Sequence, residues 1–139
     1  MCDKPTDTTS GGRNGMGRSV TIDLVTQRPD GAFVLVLVEE GAWASDVVHS
    51  ELRRLQDRLW DAVEAAIDGH LVSQYPDAMG QAVIIRLNCY DVPRQPVEEF
   101  FLRFSDHIRT RADVDADLRG KGFVASLDFE FNWRRLTDA

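Results

Sequence analysis

Five polar side chains of the sequence are the best placed to carry out acid–base chemistry. They alternate with apolar residues at the two-residue period of a β-strand, and they are Asp23, Arg86, Asn88, Asp128 and Glu130. Side chains of a strand point alternately to its two faces, so all five are expected on the face turned away from the core. Asp128 and Glu130, with Arg86 opposite, would then form a carboxylate pair with the shifted pKa values that general acid–base catalysis needs. Cross-strand salt bridges on a solvated sheet face are the alternative, and we prefer that interpretation.

A second group of residues is typical of a surface that binds another protein. Tryptophan and tyrosine are favoured where one side is apolar and the other is wet. His49, Gln56 and Trp60 share one flank of a predicted helix, and Trp43 and Tyr75 lie before and after it. We expect these five residues to form a candidate partner surface. The alternative, which we prefer, is that Trp60 simply covers the edge of the sheet.

Three aspartates have the alternate spacing of the first ligands in an EF-hand calcium loop. They are Asp113, Asp115 and Asp117. The match then fails, because the sixth position is Leu118 instead of glycine and the twelfth is Val124 instead of glutamate. A solvated acidic turn is the preferred interpretation.

Other signatures of catalysis and cofactor binding are missing from the sequence. His49, His70 and His107 belong to different predicted elements, and none has a further ligand at metal-binding spacing. The zinc-protease HExxH, the nucleophile elbow GxSxG and the phosphate loop GxxxxGK[ST] do not occur. We therefore predict no metal and no cofactor.

Charge and hydropathy exclude several classes of partner. Sixteen basic and twenty-three acidic side chains give a net charge of -7, which opposes sequence-independent binding to nucleic acid or anionic lipid. The longest apolar stretch, residues 32–38, is far shorter than the ~20 residues of a membrane-spanning helix, and no secretory signal is recognised. Cys2 and Cys89 form neither a metal motif nor a disulfide framework. These observations predict a cytoplasmic protein that binds neither nucleic acid nor membrane.

The elements that must position these side chains belong to one predicted domain, residues 19–135. Residues 1–18 are polar and glycine-rich, which predicts a disordered tail, and residues 136–139 are assigned to a C-terminal tail. Hydrophobic periodicity predicts strand, strand, helix, strand, helix, strand over residues 20–24, 32–38, 46–68, 83–89, 96–111 and 125–133.

Local signals refine this order. Residues 28–31 read Arg-Pro-Asp-Gly and predict a hairpin turn between the first two strands. Ser45 or Asp46 is the expected N-cap of the first helix, Gly69 its end, and Pro96 the first residue of the second helix. Residues 71–81 are expected to form a loop. Residues 112–122 are expected to form a short helix or a loop.

The fold predicted by these elements is an α+β two-layer sandwich. The last strand is apolar on one face and polar on the other, so its sheet needs cover on one side only. We expect one four-stranded sheet with two helices on one face, in the order ββαβαβ. The periodicities leave the order of strands within the sheet open.

Several short stretches resemble an uncharacterised family of small bacterial proteins, a domain of unknown function. They are Asp23, Asp30-Gly31, Trp43, Leu52, Leu55-Gln56, Leu59, Ile67-Asp68-Gly69, Leu71, Tyr75-Pro76 and Gly80. The resemblance spans roughly residues 20–133 and implies a hairpin-helix-strand-helix-strand unit. It implies no activity.

Two functions of different class are compatible with these patterns. The first is a non-enzymatic protein-interaction module, regulatory or immunity-type, whose acidic surface binds a basic partner protein. The alternative is a small enzyme with carboxylates on the open sheet face or near the loop that contains Tyr75. A homo-oligomer formed through an uncovered edge strand is a further hypothesis.

Overall fold

The computed structural model describes residues 22–135 of the 139-residue chain. The predicted tails at residues 1–18 and 136–139 lie outside the described residues. The elements are β1 (Leu24–Gln27), β2 (Phe33–Glu40), α1 (Val48–Ile67), α2 (His70–Gln74), a single 3₁₀ turn (Pro76–Ala78), β3 (Ala82–Tyr90), α3 (Arg94–Thr110), α4 (Ala112–Lys121) and β4 (Ser126–Arg134). The predicted α+β class and the order ββαβαβ are confirmed, with α2 and α4 as additional short helices.

The sheet has four strands in the spatial order β1-β2-β3-β4. β1 and β2 form the predicted antiparallel hairpin, whereas β2, β3 and β4 run parallel to one another. Parallel neighbours need long crossover connections, and the two crossovers contain the helices. β1 and β4 are therefore the two edge strands of the sheet.

The helices cover one face of the sheet, where they form the main core. Leu55, Leu59 and Val63 of α1 are fully buried against the strands, together with Phe101 of α3. The predicted stripe of α3 is confirmed, because Val97, Phe101, Phe104 and Ile108 are all buried. β4 contributes Leu127, Phe129, Phe131 and Trp133 to the same core, each half-buried. Edge-to-face packing of aromatic rings thus joins α3 to β4.

The first strand differs from its predicted alternation. We expected Ile22 and Leu24 on the same face, but Leu24 lies opposite Val36 on the face away from the helices and is 54% exposed. Asp23 also donates its N–H to the Val36 carbonyl, at 2.9 Å, so two residues of this segment oppose one residue of β2. Such a bulge inverts the alternation, which is why Val25 instead faces the core.

The starts of both long helices also differ from the prediction. Val47 is the N-cap of α1, and neither Ser45 nor Asp46 caps it. α3 begins at Arg94, two residues before Pro96. Pro96 is compatible with this position because the first four N–H groups of a helix have no partner within the helix.

The connection after α1 contains more helix than predicted, whereas the acidic segment adopts the helical one of its two predicted forms. Within the expected loop 71–81 the chain forms α2 and the 3₁₀ turn, and the acidic segment forms α4. One turn of helix is too short to show a hydrophobic period, so the sequence pattern missed α2. Gly69 separates α1 from α2 with a φ of 91°, as a helix-ending glycine does. Nowhere in residues 22–135 is there a helix with the length and apolar character needed to span a lipid bilayer.

Candidate functional site

Four of the five predicted acid–base residues lie on the open face of the sheet. The Arg86 guanidinium donates to Glu130 Oε1 from Nε, at 2.8 Å, and from Nη2, at 2.7 Å. Asn132 donates to Asn88 at 3.1 Å in the next row of the same two strands. Asp128 is 65% exposed and lies 3.9 Å from Arg109 of α3. The Arg86–Glu130 and Asn88–Asn132 contacts are cross-strand pairs of the kind that stabilises a solvated sheet face, whereas Asp128 contacts a helix.

Asp23 does not belong to this group, and its predicted place on the open face is wrong. The bulge turns its carboxylate toward α1, where Oδ2 accepts from Arg58 Nη2 and from the Val38 N–H, both at 2.7 Å. The expected set of polar side chains is therefore divided between two sites.

The open face also carries an apolar strip that the polar alternation does not indicate. Ala32, Val34, Val36 and Ile84 lie there and are at least 90% buried. Arg28, which follows β1, approaches Glu130 of β4 to 3.9 Å. Arg28 and Glu130 come from opposite edges of the sheet, so this contact spans the open face.

A buried ion-pair network lies where β2 ends. Glu39 is 4% exposed, and its carboxylate accepts from Nη1 and Nη2 of Arg54, at 3.0 and 2.5 Å, and from Arg58. Hydrogen bonding to Glu39 holds the pKa of Arg54 above its ordinary value, despite the opposing effect of burial. Both oxygens of Glu39 accept hydrogen bonds from arginines of α1, so this carboxylate joins the sheet to the helix.

Cys89 lies beside Glu39 in the neighbouring strand and is also buried. Burial, with the negative charge of Glu39 as a smaller cause, raises the pKa of the Cys89 thiol to about 12. A nucleophilic cysteine needs the thiolate, which this environment disfavours. Cys89 is therefore a core residue.

The predicted partner surface does not form as one surface. Trp60 packs edge-to-face on Phe104 of α3, with ring centroids 5.5 Å apart, and Arg111 lies over its other side. Trp43 packs against the core before α1, and Tyr75 follows α2 beyond the other end of α1. A 20-residue helix is ~30 Å long, so these two aromatic residues are far apart. Of the three predicted partner-surface residues on α1, His49 and Gln56 are exposed and Trp60 is half-buried.

Tyr75 instead borders a cleft between the β1 edge and the segment after α2. The cleft has a volume of about 380 Å³ and is lined by Val25, Thr26, Gln27, Phe33, Gln74, Tyr75, Pro76 and Asp77. The Tyr75 ring is 40% exposed and packs on Phe33 at a centroid distance of 6.3 Å. An aromatic wall, a strand with no outer neighbour among residues 22–135, and one carboxylate thus meet in one concave site.

A second cavity lies at the carboxyl ends of β3 and β4. It has a volume of about 270 Å³ and is lined by Asn88, Cys89, Tyr90, Asn132, Trp133 and Arg134. The Trp133 indole is held by a hydrogen bond from Nε1 to the Val92 carbonyl, at 2.8 Å. Of the five predicted acid–base residues, only Asn88 lines either of these two cavities.

The three aspartates of the calcium-like spacing lie on α4, where alternate residues point in different directions. Asp113 binds Arg111 at 2.6 Å, which lowers the pKa of Asp113, and Asp115 binds Arg119 at 3.1 Å. Within residues 22–135, no group of three or more His, Cys, Asp or Glu side chains could hold a metal ion.

Comparison of the chain with protein-family models, with curated proteins and with solved structures finds no match. The resemblance of residues 20–133 to a bacterial domain of unknown function stays a prediction.

Most residues of the cleft beside β1 were missed by sequence reasoning. They come from the hairpin and from the segment after α2, which are about fifty residues apart along the chain. The available signal was the Tyr75-Pro76-Asp77 tripeptide, an aromatic residue in a turn beside a carboxylate. Its position next to β1 depends on tertiary packing.

Proposed function

We propose that the protein is a non-enzymatic interaction module that binds an extended segment of a partner protein along the β1 edge. The cleft beside Tyr75 is the observation that carries this proposal. A partner strand would hydrogen bond to the outer edge of β1, and one of its side chains would enter the cleft. This is the mode of recognition called β-augmentation.

The backbone of β1 supports this mode. Arg28 donates its N–H to the Ala32 carbonyl at 2.8 Å, so the backbone groups of Arg28 point toward β2. These groups alternate in direction along a strand, so those of Gln27 and Val25 point away from β2. Both residues line the cleft. A peptide strand added at this edge would therefore find hydrogen-bond partners and a side-chain pocket together.

Charge supports a basic partner segment. Asp77 lines the cleft and forms no ion pair with any residue between 22 and 135. The net charge of -7 also attracts a positively charged partner and speeds its association. In the partner segment that we propose, an apolar or aromatic side chain packs against the wall formed by Tyr75 and Phe33. A neighbouring lysine or arginine forms an ion pair with Asp77.

Selection from a displayed library of random peptides of about a dozen residues tests the proposal. We expect the selected peptides to combine an aromatic or aliphatic residue with a neighbouring Lys or Arg. Their dissociation constants are then measured for the wild type and for Gln27→Pro, which removes an outward N–H but no β1–β2 hydrogen bond. We expect roughly tenfold weaker binding to Gln27→Pro.

Gln27→Ala is the matched control, because it keeps the backbone N–H and changes only the side chain. It should bind within about twofold of the wild type, whereas Tyr75→Ala should lose most of the affinity. Peptides that bind equally well to Gln27→Pro and to the wild type would refute augmentation at this edge.

A small enzyme that uses a carboxylate near Tyr75 is the second candidate. The observation that favours it is the position of Asp77 in the cleft, but residues 22–135 supply no second carboxylate to the cleft lining to complete an acid–base pair. Substitution of Asp77 by asparagine separates the two proposals. It would abolish catalysis, whereas it would only weaken the binding of a basic peptide. The cytoplasmic location inferred from the sequence stays a prediction.

A further inference from the structure

The outer edge of β4 is long, and Arg109 of α3 contacts Asp128 and Phe129 of this strand. β4 has nine residues and, within residues 22–135, has a neighbouring strand on one side only. Proteins usually protect such edges with proline, lysine, a bulge or a very short strand. The β4 sequence, SLDFEFNWR, contains no proline, glycine or lysine, and its register with β3 is continuous.

The backbone of β4 presents regularly spaced hydrogen-bonding groups along this edge. The Arg134 carbonyl accepts from the Asp91 N–H at 3.0 Å, so the backbone groups of Arg134 point toward β3. By alternation, the outward groups belong to Leu127, Phe129, Phe131 and Trp133. These four residues span most of the strand. A second strand of similar length would satisfy all of them.

We propose that this strand is the second copy of β4, related by a twofold axis at Phe131, so that the protein forms a homodimer. In this antiparallel register Asp128 lies opposite Arg134 of the second copy, and the same pair occurs again on the other side of the axis. Phe129 lies opposite Trp133 of the second copy. Two opposite-charge pairs and an aromatic row therefore coincide in one self-complementary arrangement.

Neighbouring registers are less favourable because of the charges on the open face. An axis at Glu130 places that carboxylate opposite its own copy, and an axis at Phe129 places Asp128 opposite Glu130. An axis at Asn132 places Arg134 opposite Glu130, which Arg86 already binds at 2.7 Å. The axis at Phe131 keeps that internal pair and uses Arg134 and Asp128, which are both exposed; Asp128 has a longer contact with Arg109, at 3.9 Å.

The dimer would have a continuous eight-stranded sheet. An axis perpendicular to the sheet keeps the helices of both copies on the same side, so the α3 helices flank the junction. The half-buried rings of Phe129, Phe131 and Trp133 lie on that side and would lose further contact with water. The cleft beside Tyr75 lies at the opposite edge of each copy and stays open.

Sedimentation equilibrium over a range of concentrations tests the proposal. We expect a mass that rises from 15.7 kDa toward twice that value. Either single variant, Asp128→Arg or Arg134→Asp, places like charges opposite each other on both sides of the twofold axis. We expect each single variant to have a dimer dissociation constant about tenfold higher than that of the wild type. The double variant Asp128→Arg/Arg134→Asp restores opposite charges and should dimerise like the wild type.

This rescue excludes a merely structural role for the two residues. They are six positions apart on one strand, about 20 Å, so they cannot pair within one copy. A wild type that stays monomeric at all concentrations, or a double variant no better than the single variants, would overturn the proposal. Circular dichroism of each variant identifies any loss of fold.

Gln27→Pro is the control for the other edge of the sheet. Proline at this position removes an outward N–H group of β1, so no strand can add to that edge. The variant should nevertheless show the same distribution of masses as the wild type. Loss of dimers in Gln27→Pro, with the charge variants unaffected, would place the contact at β1 and overturn the proposal for β4. Failure of peptide binding at β1 has no bearing on this result, so the two proposals are judged separately.

Discussion

Arg58 Nη1 donates both to Glu39 Oε2, at 2.5 Å, and to the Val38 carbonyl, at 3.0 Å. One guanidinium therefore binds the side chain and the backbone of β2 where that strand ends, and Nη2 continues to Asp23. The Arg58 side chain is 13% exposed and that of Glu39 is 4% exposed. The contact positions the middle of α1 over the end of the sheet, and it depends on both charges being present.

Replacement of Glu39 by glutamine should lower the free energy of unfolding by about 3–5 kcal/mol, because it leaves two guanidinium groups without their shared carboxylate. Urea denaturation measures the change. Glu51→Gln is the control: Glu51 is half-buried and binds only the Nε of Arg54, so its loss should cost under ~1 kcal/mol. Equal losses in the two variants would contradict a special role for Glu39.

Alanine at Gly69 should destabilise the protein more than alanine at Gly41. Both glycines have positive φ, at 91° and 94°, which costs a residue with a side chain about 1 kcal/mol. A Cβ at Gly69 would also lie 2.8 Å from the Phe123 ring, whereas nothing lies within 4 Å of a Cβ at Gly41. Thermal unfolding should show that Gly69→Ala loses ~1–2 kcal/mol more of the free energy of unfolding than Gly41→Ala does. Similar values for both would mean that Phe123 moves freely.

The Cys89 thiol should resist modification while the protein is folded. In a Cys2→Ser variant, an aromatic disulfide reagent at about pH 8 should react only after denaturant is added, because the Cys89 thiol is buried and its pKa is about 12. A fast reaction without denaturant would contradict this burial.

The same thiol should make stability depend on alkaline pH. The pKa of Cys89 is raised in the folded protein, so the stability it contributes is complete below the ordinary thiol pKa near 9 and is lost as pH rises toward 12. Above pH ~9 the wild type should lose up to ~1.4 kcal/mol per pH unit more than Cys89→Ala. Unfolding titrations at several pH values measure the difference between the two proteins.

Arg86 and Glu130 should contribute to stability only modestly. Their side chains are 31% and 39% exposed, so Arg86→Met and Glu130→Gln should each cost less than ~1 kcal/mol. A double-mutant cycle isolates their interaction. Neither change should affect peptides that bind at the cleft, and loss of a catalytic activity in both variants would instead support the enzyme hypothesis.

Patterns that depend on one element alone were predictable from the sequence. The stripe of Phe101, Phe104 and Ile108 and the alternation along β4 follow from periods of 3.6 and 2 residues. The Arg28–Gly31 turn follows from glycine at a position with a φ of 95°. Each of these features is encoded within a few consecutive residues.

Features that depend on distant contacts were not predictable. The bulge at Asp23 coincides with an ion pair between its carboxylate and Arg58, thirty-five residues away. Trp60 packs on Phe104 of α3 instead of joining a partner surface, and the sequence gives no sign of this contact between two helices. Tyr75 was identified as a candidate, but its pairing with Phe33 and the β1 edge required the packed structure. The candidate site was therefore only partly predictable.

The parallel order of β2, β3 and β4 sets the speed at which this chain can fold. Phe33 pairs with Val83 and Ala82 with Ser126, so each of these pairings closes a loop of about forty to fifty residues, whereas the hairpin closes one of about ten. A high share of non-local contacts slows the search for the native topology. We expect refolding on the scale of milliseconds to seconds, with the β1–β2 ribbon and nascent helices forming before the central strands meet.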